Sequence, residues 1–422
     1  MVKVSIADVI DGMIADEDVN APNGSLLVAR GQTLGEAHIR SMRAFGVHTV
    51  AIVSDAPPPD ADEENQRRVE AACRERLEPR FAALDRTTAF GKTVWELAVA
   101  RAARYQLHAP ASAAAPAPTP LLTSPPPEQA LFAQQAFDPA DLVSGKVELA
   151  TLPEVHGRLM QALNAPTSTP ASIAAVVGHD PSLSAKLLRL VNSPFYGATS
   201  PIDTISRAVA MVGQKELTNL VLGLAACNAF TDIPPDLWDM RSFWQHAASC
   251  GVYAATLAES CPGTSPDRVF VGGLLHDIGQ LVILRKIPAA AGRALLLARI
   301  EGMLLREAER AVLGFDHDAV SKALLARWNF PESLVAMVAD HDHPSGRPED
   351  RETAVIHVAD ILATALAPAG PDGPLVTPLD SAAWRSLDIT EAILPMVAET
   401  GDARIKEIET VFFETPPPKR RR

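Results

Sequence analysis

The sequence predicts a mainly α-helical protein, in which a small α/β module and a linker rich in proline and alanine precede a large all-α domain. Three observations support this fold class. Strand-like stretches bounded by turn residues occur near the N-terminus, the composition then shifts to Ala, Pro, Ser and Thr, and after residue 142 helical patterns follow one another without an alternating strand. We divide the chain into an α/β module (1–54), a helical segment (55–107), a linker and lead-in (108–141), the all-α domain (142–345) and a C-terminal helical extension with a basic tail (346–422).

Composition and charge limit the function classes. The 422 residues carry a formal net charge of −13, which argues against a general nucleic-acid binder because phosphate backbones need a cationic surface. The basic run Lys419–Arg422 is interpreted as a solvated tail. The four cysteines show no CxxC spacing and are typical of reduced thiols. Because no apolar run approaches the roughly 18 residues that cross a bilayer, we expect a cytoplasmic protein with neither nucleic-acid nor membrane partners.

In the N-terminal module, extended stretches at 25–29 and 48–53 flank a helical pattern at 34–44. Helical spacing continues over Asp60–Leu84, whose apolar side is expected to pack on a neighbour or on a second copy of the chain, and over Thr93–Leu107. The stretch rich in Ala and Pro that follows cannot bury enough apolar surface to offset its ordering entropy. A semi-extended linker is therefore predicted there.

The large domain is read as helices separated by Gly or Pro breaks. Several begin with proline in the first turn, where its missing N–H does no harm, and Asp180 is a predicted N-cap. The predicted helices are Pro153–Asn164, Pro170–Gly178, Pro181–Val191, Ile205–Val212, Lys215–Phe230, Arg241–Glu259, Pro266–Lys286, Ala289–Leu304, Arg306–Leu313, His317–Trp328, Glu332–Val338 and Thr353–Leu366.

One apolar stretch, Phe270–Leu281, carries His276 and Asp277 side by side in its middle. Burying an imidazole and a carboxylate costs several kcal/mol unless each finds a partner. A helical bundle can bring ligands from distant helices to one central point. Four residues on other predicted helices could meet this pair there: His246, His317, His341 and Asp360.

A buried network without metal would also satisfy these groups. Asp277 could pair with His246 or His317 to hold helices in register, and His246 could be a core histidine bonded to a carbonyl. His341 and His343 could be solvated among their charged neighbours. His357 lies one turn before Asp360 and offers it a local partner.

A turn follows the helix that ends at Val191, and it contains Asn192, Phe195 and Tyr196. These three residues are candidates for binding a protein partner, with the aromatic side chains as anchors. The alternative is a helix stop whose aromatic rings pack inward.

The order of motifs resembles the HDOD family, the HD-related output domains of bacterial signalling proteins, over roughly residues 145–345. The combination is specific, since the DPxLxxxLLxxxNSxxYG element is absent from ordinary HD hydrolases. The matching stretches are Leu152–Val155, His179–Gly197, Ser206–Gly213, Phe243–His246, Gly273–Gly279, Gly314–His317 and Trp328–Pro331. The N-terminal module is similar to a segment of some bacterial HD-GYP phosphodiesterases, which runs from an NGxLLxxxG turn through a helix to a strand.

This resemblance implies a helical regulatory or scaffolding domain related to HD phosphohydrolases, without a general enzymatic activity. It also implies a ligand set for a divalent ion such as Mn, Fe, Ni or Zn, whose chemistry suits imidazole and carboxylate ligands. The matching positions are His246, His276, Asp277 and Asp360, with His317 and His341 added in dinuclear relatives.

Three departures from the HD-GYP pattern make cyclic dinucleotide hydrolysis unexpected. Gln280 stands where that pattern has lysine, Asp342 follows His341 where it has a second histidine, and the GYP loop has no counterpart.

We therefore expect a cytoplasmic bacterial signalling protein whose non-catalytic domain relays an input to a protein partner. One alternative is a metal-dependent phosphohydrolase acting on a nucleotide or phosphate ester. Another is a pocket that senses metal or a nucleotide ligand, and a homodimer is compatible with each.

Overall fold

The computed structural model of the chain describes residues 2–6, 9, 12–21, 24–47, 49–53, 59–108, 137–144, 157–158, 161–162, 169–198, 200–228, 230, 233, 237–344, 350–368 and 373–413. The predicted linker from 109 onward, the motif Leu152–Val155, most of the predicted helix Pro153–Asn164 and the basic tail lie outside the described residues. The described chain forms two compact units, Met1–Cys73 and Arg74–Arg422. The predicted fold class is confirmed, since helices dominate the second unit and the named strands lie in the first.

The first unit is a small α/β module. Its three-stranded antiparallel sheet has the order β1 (Val2–Ser5), β5 (Thr49–Val53), β2 (Ile14–Ala15), and β3 (Val19–Asn20) pairs separately with β4 (Leu26–Val28). Helix α1 (Glu36–Ala44) buries Ile39 and Met42 in the core of this unit. Sequence reasoning predicted β4, α1 and β5 but missed the other strands, because two-residue strands such as β2 and β3 carry no periodicity.

The second unit is helical in its described residues. Among its helices, α16 is buried along nearly its whole length, which places the carboxylate of Asp360 in the core. The helices of the molecule after α1 are α2 (Pro59–Leu77, which begins in the first unit), α3 (Ala89–His108), α4 (Pro139–Val143), α5 (Pro170–Gly178), α6 (Pro181–Val191), α7 (Ile205–Val212), α8 (Gln214–Asn228), α9 (Met240–Ala258), α10 (Pro266–Leu275), α11 (Ile278–Lys286), α12 (Pro288–Glu301), α13 (Leu305–Leu313), α14 (His317–Arg327), α15 (Glu332–Ala339), α16 (Arg351–Leu366), α17 (Ser381–Ser386) and α18 (Leu394–Phe413).

Helices α9, α10 and α16 pack together around the middle of this unit. Gly273 allows the close approach of α10 to α9, because a Cβ there would lie 2.7 Å from the backbone of Gly251.

The prediction of one helix over Pro266–Lys286 is wrong at its centre. Helix α10 ends at Leu275 and α11 begins at Ile278, with His276 and Asp277 between them. The ring of His276 donates from Nδ1 to the carbonyl oxygen of Gly273, 2.7 Å away, which is the acceptor that a continuing helix would offer to the N–H of Asp277. Because of this break, Asp277 belongs to neither helix and is the N-cap residue of α11.

Candidate metal centre

The six predicted ligands converge on one point in the second unit. His246 projects from α9, the pair His276 and Asp277 from the break before α11, and Asp360 from α16. His317 begins α14 and His341 follows α15. The group therefore draws on five separate parts of the helical fold.

One side of the centre, here called the open half, consists of His246, His276, Asp277 and Asp360. The Nε2 atoms of His246 and His276 lie 3.2 Å apart. The Oδ1 atom of Asp360 lies 3.1 Å from Nε2 of His246, and Oδ2 of Asp277 lies 3.2 Å from Nε2 of His276. The side chain of His246 is 24% exposed, so this half reaches the surface at one edge.

The other side, here called the enclosed half, consists of His317, Asp318, His341 and Asp342, all buried. The Nε2 atom of His317 lies 3.6 Å from Oδ1 of Asp318 and 3.8 Å from Oδ2 of Asp342. Its distance to Oδ1 of Asp277 is 3.2 Å. Asp277 therefore offers one oxygen to each half, as a bridging carboxylate would.

A glycine makes this bridge sterically possible. A Cβ on Gly279 would lie 2.1 Å from the carbonyl oxygen of His317 and 2.6 Å from Oγ of Ser321. The absent side chain lets α11 pack directly on the first turn of α14, where the N–H of Gly279 donates to the Ser321 hydroxyl. Asp277 and His317 meet because of this approach.

Three imidazoles are held by Nδ1 with Nε2 left for the centre. The Nδ1 atom of His276 bonds the carbonyl of Gly273, and that of His341 lies 2.8 Å from the carbonyl of Val338. The Nδ1 atom of His317 lies 2.6 Å from the carboxylate of Glu309. In a neutral ring held this way, Nε2 carries the lone pair, and a fixed outer partner of this kind accompanies most metal-bound histidines. The residues present therefore fit a divalent ion.

The charges of the centre shift one another's protonation. Burial opposes charging of His276 and His317, but the carboxylates of Asp277 and Glu309 outweigh it and leave both pKa values well above 6.5. Burial would raise the pKa of Asp277 and of Asp360, yet the neighbouring imidazoles hold both pKa values well below 3.8. The centre thus favours positive charge between its carboxylates, which either protons or a metal ion would supply.

Two residues of this environment were missed by sequence reasoning. Glu309 accepts from both the backbone N–H and the ring of His317, and Asp318 has a buried Oδ1 atom without a hydrogen-bond partner. Burial raises the pKa of Asp318 to about 7. The signal that could have found Glu309 is its position eight residues before His317, across the Gly314 turn that ends α13.

Two alternatives from the sequence do not match the structure. His341 is buried rather than solvated, with 2% of its side chain exposed. His357 does not pair with Asp360, because its Nδ1 bonds the carbonyl of His341 and its Nε2 accepts from the N–H of Asp380. His343, by contrast, is exposed.

The three candidate partner-binding residues have structural contacts of their own. The side chain of Asn192 accepts from the N–H of Ile202 at 2.6 Å and donates to the same residue's carbonyl at 2.7 Å. The ring of Phe195 packs on Phe270, with centroids 5.1 Å apart, and the hydroxyl of Tyr196 is buried. These contacts fit the helix-stop interpretation, and a partner role for the three stays a prediction.

Parts of this chain are similar to known proteins. The HDOD domain model matches residues 149–344. An HDOD domain protein of unknown function from Geobacter sulfurreducens is 25% identical, with a TM-score of 0.53, over 65% of this chain and 97% of its own. A "Putative phosphohydrolase" from Shewanella amazonensis is 26% identical, with a TM-score of 0.49, over 62% of this chain and 94% of its own.

An uncharacterized protein of Treponema pallidum is 24% identical over 217 residues, which is 50% of this chain. The chain spans only 41% of the length of that relative. In the part of the chain that the structure describes, we find no helix with the length and apolar character of a membrane span. The motif order, the helical fold and the converging His and Asp residues agree with that family match: this chain carries an HDOD domain at residues 149–344.

Proposed function

We propose that the protein is a signalling regulator, in which the HDOD domain holds divalent metal at the His/Asp centre and relays an input to a protein partner without turning over a substrate. The observation that carries this proposal is a set of six converging His and Asp ligands beside which the described residues place no unpaired cation for a phosphate. The inward Nε2 atoms and the shared carboxylate of Asp277 support metal binding.

Two arginines beside the enclosed half are already engaged with carboxylates. Gln280, which stands where HD-GYP phosphodiesterases have lysine, is buried. Arg306 pairs with the carboxylate of Asp342, and Nε of Arg310 donates to Asp316 at 2.7 Å. Phosphoryl transfer depends on positive groups aimed at the developing charge of the phosphate. Because these two arginines are paired with Asp342 and with the N-cap residue Asp316, they support a binding role of the centre over a catalytic one.

The test is elemental analysis of the purified full chain together with assays against nucleotides and phosphate esters. We expect bound divalent metal in the wild type, loss of that metal in Asp277→Ala, and no turnover above the Asp277→Ala background. Turnover that requires Asp277 would overturn the non-catalytic assignment. A wild-type protein that holds no metal after supplementation would remove the metal centre itself.

A metal-dependent phosphohydrolase is the second candidate, favoured by the position of Asp277 between two ligand groups and by the open edge at His246. Metal in such a site would polarise a phosphoryl oxygen and lower the pKa of a bound water. His246, which is the most exposed ligand, would face an arriving phosphate ester. Metal-dependent hydrolysis that is lost in both His246→Ala and Asp277→Ala would support this candidate.

A sensing role makes a prediction that differs from those of the regulator and of the phosphohydrolase. Metal or a nucleotide that binds only the folded protein raises its melting temperature by mass action and is recovered unchanged. Thermal unfolding with added nucleotide, followed by chromatography of that nucleotide, separates sensing from hydrolysis. The partner relay would then require a protein whose binding depends on the loaded state of the centre.

A further inference from the structure

The segment that precedes the predicted linker is part of the metal-bearing unit. This segment, here called the clamp, comprises residues 78–108, a 3-10 turn at Glu78–Phe81 followed by α3. It lies outside the matched HDOD residues, yet α3 packs against α16 and α18. Phe90 makes an edge contact with Trp384 at 4.8 Å between centroids.

Arg80 fixes the clamp to the C-terminal end of α16. Its side chain is fully buried, and its NH2 donates to the carbonyl of Thr364 at 2.6 Å while Nε donates to the carbonyl of Pro374 at 3.2 Å. The Thr364 carbonyl is among the last four of α16, which have no partner within the helix. A buried guanidinium at this position both satisfies that carbonyl and matches the negative end of the helix dipole.

The same turn of α16 carries a metal-ligand candidate. The hydroxyl of Thr364 lies 3.3 Å from Oδ1 of Asp360, the oxygen that lies 3.1 Å from Nε2 of His246. Arg80 and Asp360 therefore act on one residue, Thr364, through its carbonyl and its hydroxyl. A shift of Arg80 would move the end of α16 on which Asp360 is placed.

Arg101 fixes the clamp to the second ligand-bearing helix. Its NH1 donates to the hydroxyl of Tyr253 at 3.0 Å and to Oδ1 of Asp402 at 2.6 Å, and the Tyr253 hydroxyl donates to the same Asp402 oxygen at 2.9 Å. Tyr253 lies on α9, about two turns after His246. Gly401 lets α18 close over the ring, since a Cβ there would lie 2.4 Å from Tyr253.

Both anchored helices supply the open half, His246 from α9 and Asp360 from α16. The enclosed half is supplied by the start of α14 and by the residues that follow α15, and it has its own partners in Glu309 and Arg306. We propose that the clamp positions His246 and Asp360, so that displacing residues 78–108 weakens metal binding at the open half alone. This inference rests on the proposed metal centre and adds a route for its regulation, because the chain runs from the first unit directly into the clamp.

The test is titration of the full-length, metal-free chain with Mn²⁺, with free Mn²⁺ followed by electron paramagnetic resonance. We expect Arg80→Met and Arg101→Met each to raise the Kd of one bound Mn²⁺ roughly tenfold, at the low end of the range for outer-shell partners, and to leave the other unchanged. Arg101→Lys, which keeps a donor, should restore part of that affinity. Arg86→Ala is the matched control, since Arg86 contacts Glu78 and Trp95 within the clamp.

The same arginine changes made in an Asp360→Ala variant distinguish positioning of the ligands from a general effect on stability. In Asp360→Ala, where the open half is already broken, the arginine changes should have no further effect on the remaining Mn²⁺, because coupled residues are not additive. Equal weakening in both backgrounds would indicate general destabilisation and overturn the proposal. Should Arg80→Met fail to fold, Arg101→Met decides, since its side chain is 31% exposed.

Different results would contradict the proposed function and this inference. A wild-type chain that binds no Mn²⁺ would remove both. A wild-type chain that binds Mn²⁺ with Arg101→Met binding it equally well would leave the metal centre standing and remove the clamp.

Discussion

The open and enclosed halves of the centre use the same residue types but are held in different ways. In the enclosed half, Glu309 holds the ring and the backbone of His317, and Arg306 neutralises Asp342. In the open half, two imidazole nitrogens face each other at 3.2 Å beside two carboxylates, with one edge exposed. The enclosed half is organised by the protein itself, whereas the open half depends more on a cation from outside. Ions are therefore expected to exchange first at the open half.

Asp277→Asn should weaken metal binding in both halves and so remove the difference between them. The amide keeps the volume of the side chain but loses the charge that faces His276 and His317. We expect metal affinity to fall more than roughly a hundredfold at both positions, beyond the effect of losing an outer-shell partner. Elemental analysis after dialysis measures the loss, with Asp316→Asn, which keeps the N-cap of α14, as control. Retention of one ion at wild-type affinity would show that Asp277 is not shared.

Glu309→Gln should affect the enclosed half alone. It removes the charge that orients His317, and loss of such a partner typically lowers metal affinity about 10–100-fold. Titration should therefore show one weakened and one unchanged ion. Glu307→Gln, on the same helix but capping the N–H of Leu304, is the control. Equal weakening of both ions would contradict separate halves.

The pH dependence of stability should differ between the metal-free and metal-loaded protein. Raised pKa values of His276 and His317 give stabilisation that is complete below the unfolded value of about 6.5 and is lost as pH rises through the folded values. The melting temperature of the chelator-treated protein should fall by roughly 4 °C above pH 6.5. The lowered pKa values of Asp277 and Asp360 act only below about 3.8, outside this window.

Metal replaces those protons, so the loaded protein should lose less stability over the same window, and metal affinity should rise with pH. Differential scanning calorimetry with and without chelator measures both curves. A metal-free melting temperature that rises above pH 6.5 would show that the imidazoles are not held charged.

Asp318→Asn should give the smallest effect. Burial raises the pKa of Asp318 in the folded protein to about 7. Ionisation of this carboxylate therefore destabilises the metal-free protein as pH rises from about 4 through 7. The amide removes that cost, so the melting temperature should rise by roughly 2 °C at pH 8 and change little at pH 4. Asp340→Asn, at the half-buried C-cap of α15, serves as the control. A lower melting temperature at pH 8 would show that the charged form is needed.

Much of the candidate site could be predicted because charged residues within apolar sequence stretches are easy to recognise and need partners when buried. A His-Asp pair inside an apolar stretch needs partners, and Asp360 stands out on α16 for the same reason. The motif order then supplied His246, His317 and His341 as the partners. Glu309 could not be found this way, because a glutamate on an amphipathic helix looks like any solvated residue until α13 is packed.

The sequence by itself determined the helical class, the N-terminal module and the six ligand candidates, because periodicity, turn residues and buried charge are local properties. Only the tertiary structure decided that the helix breaks at His276 and Asp277, that Asp277 serves two halves, and that Arg80 and Arg101 fix the ligand-bearing helices. These features depend on contacts between residues far apart in the chain, and such contacts are set by how helices pack rather than by the pattern of any one of them.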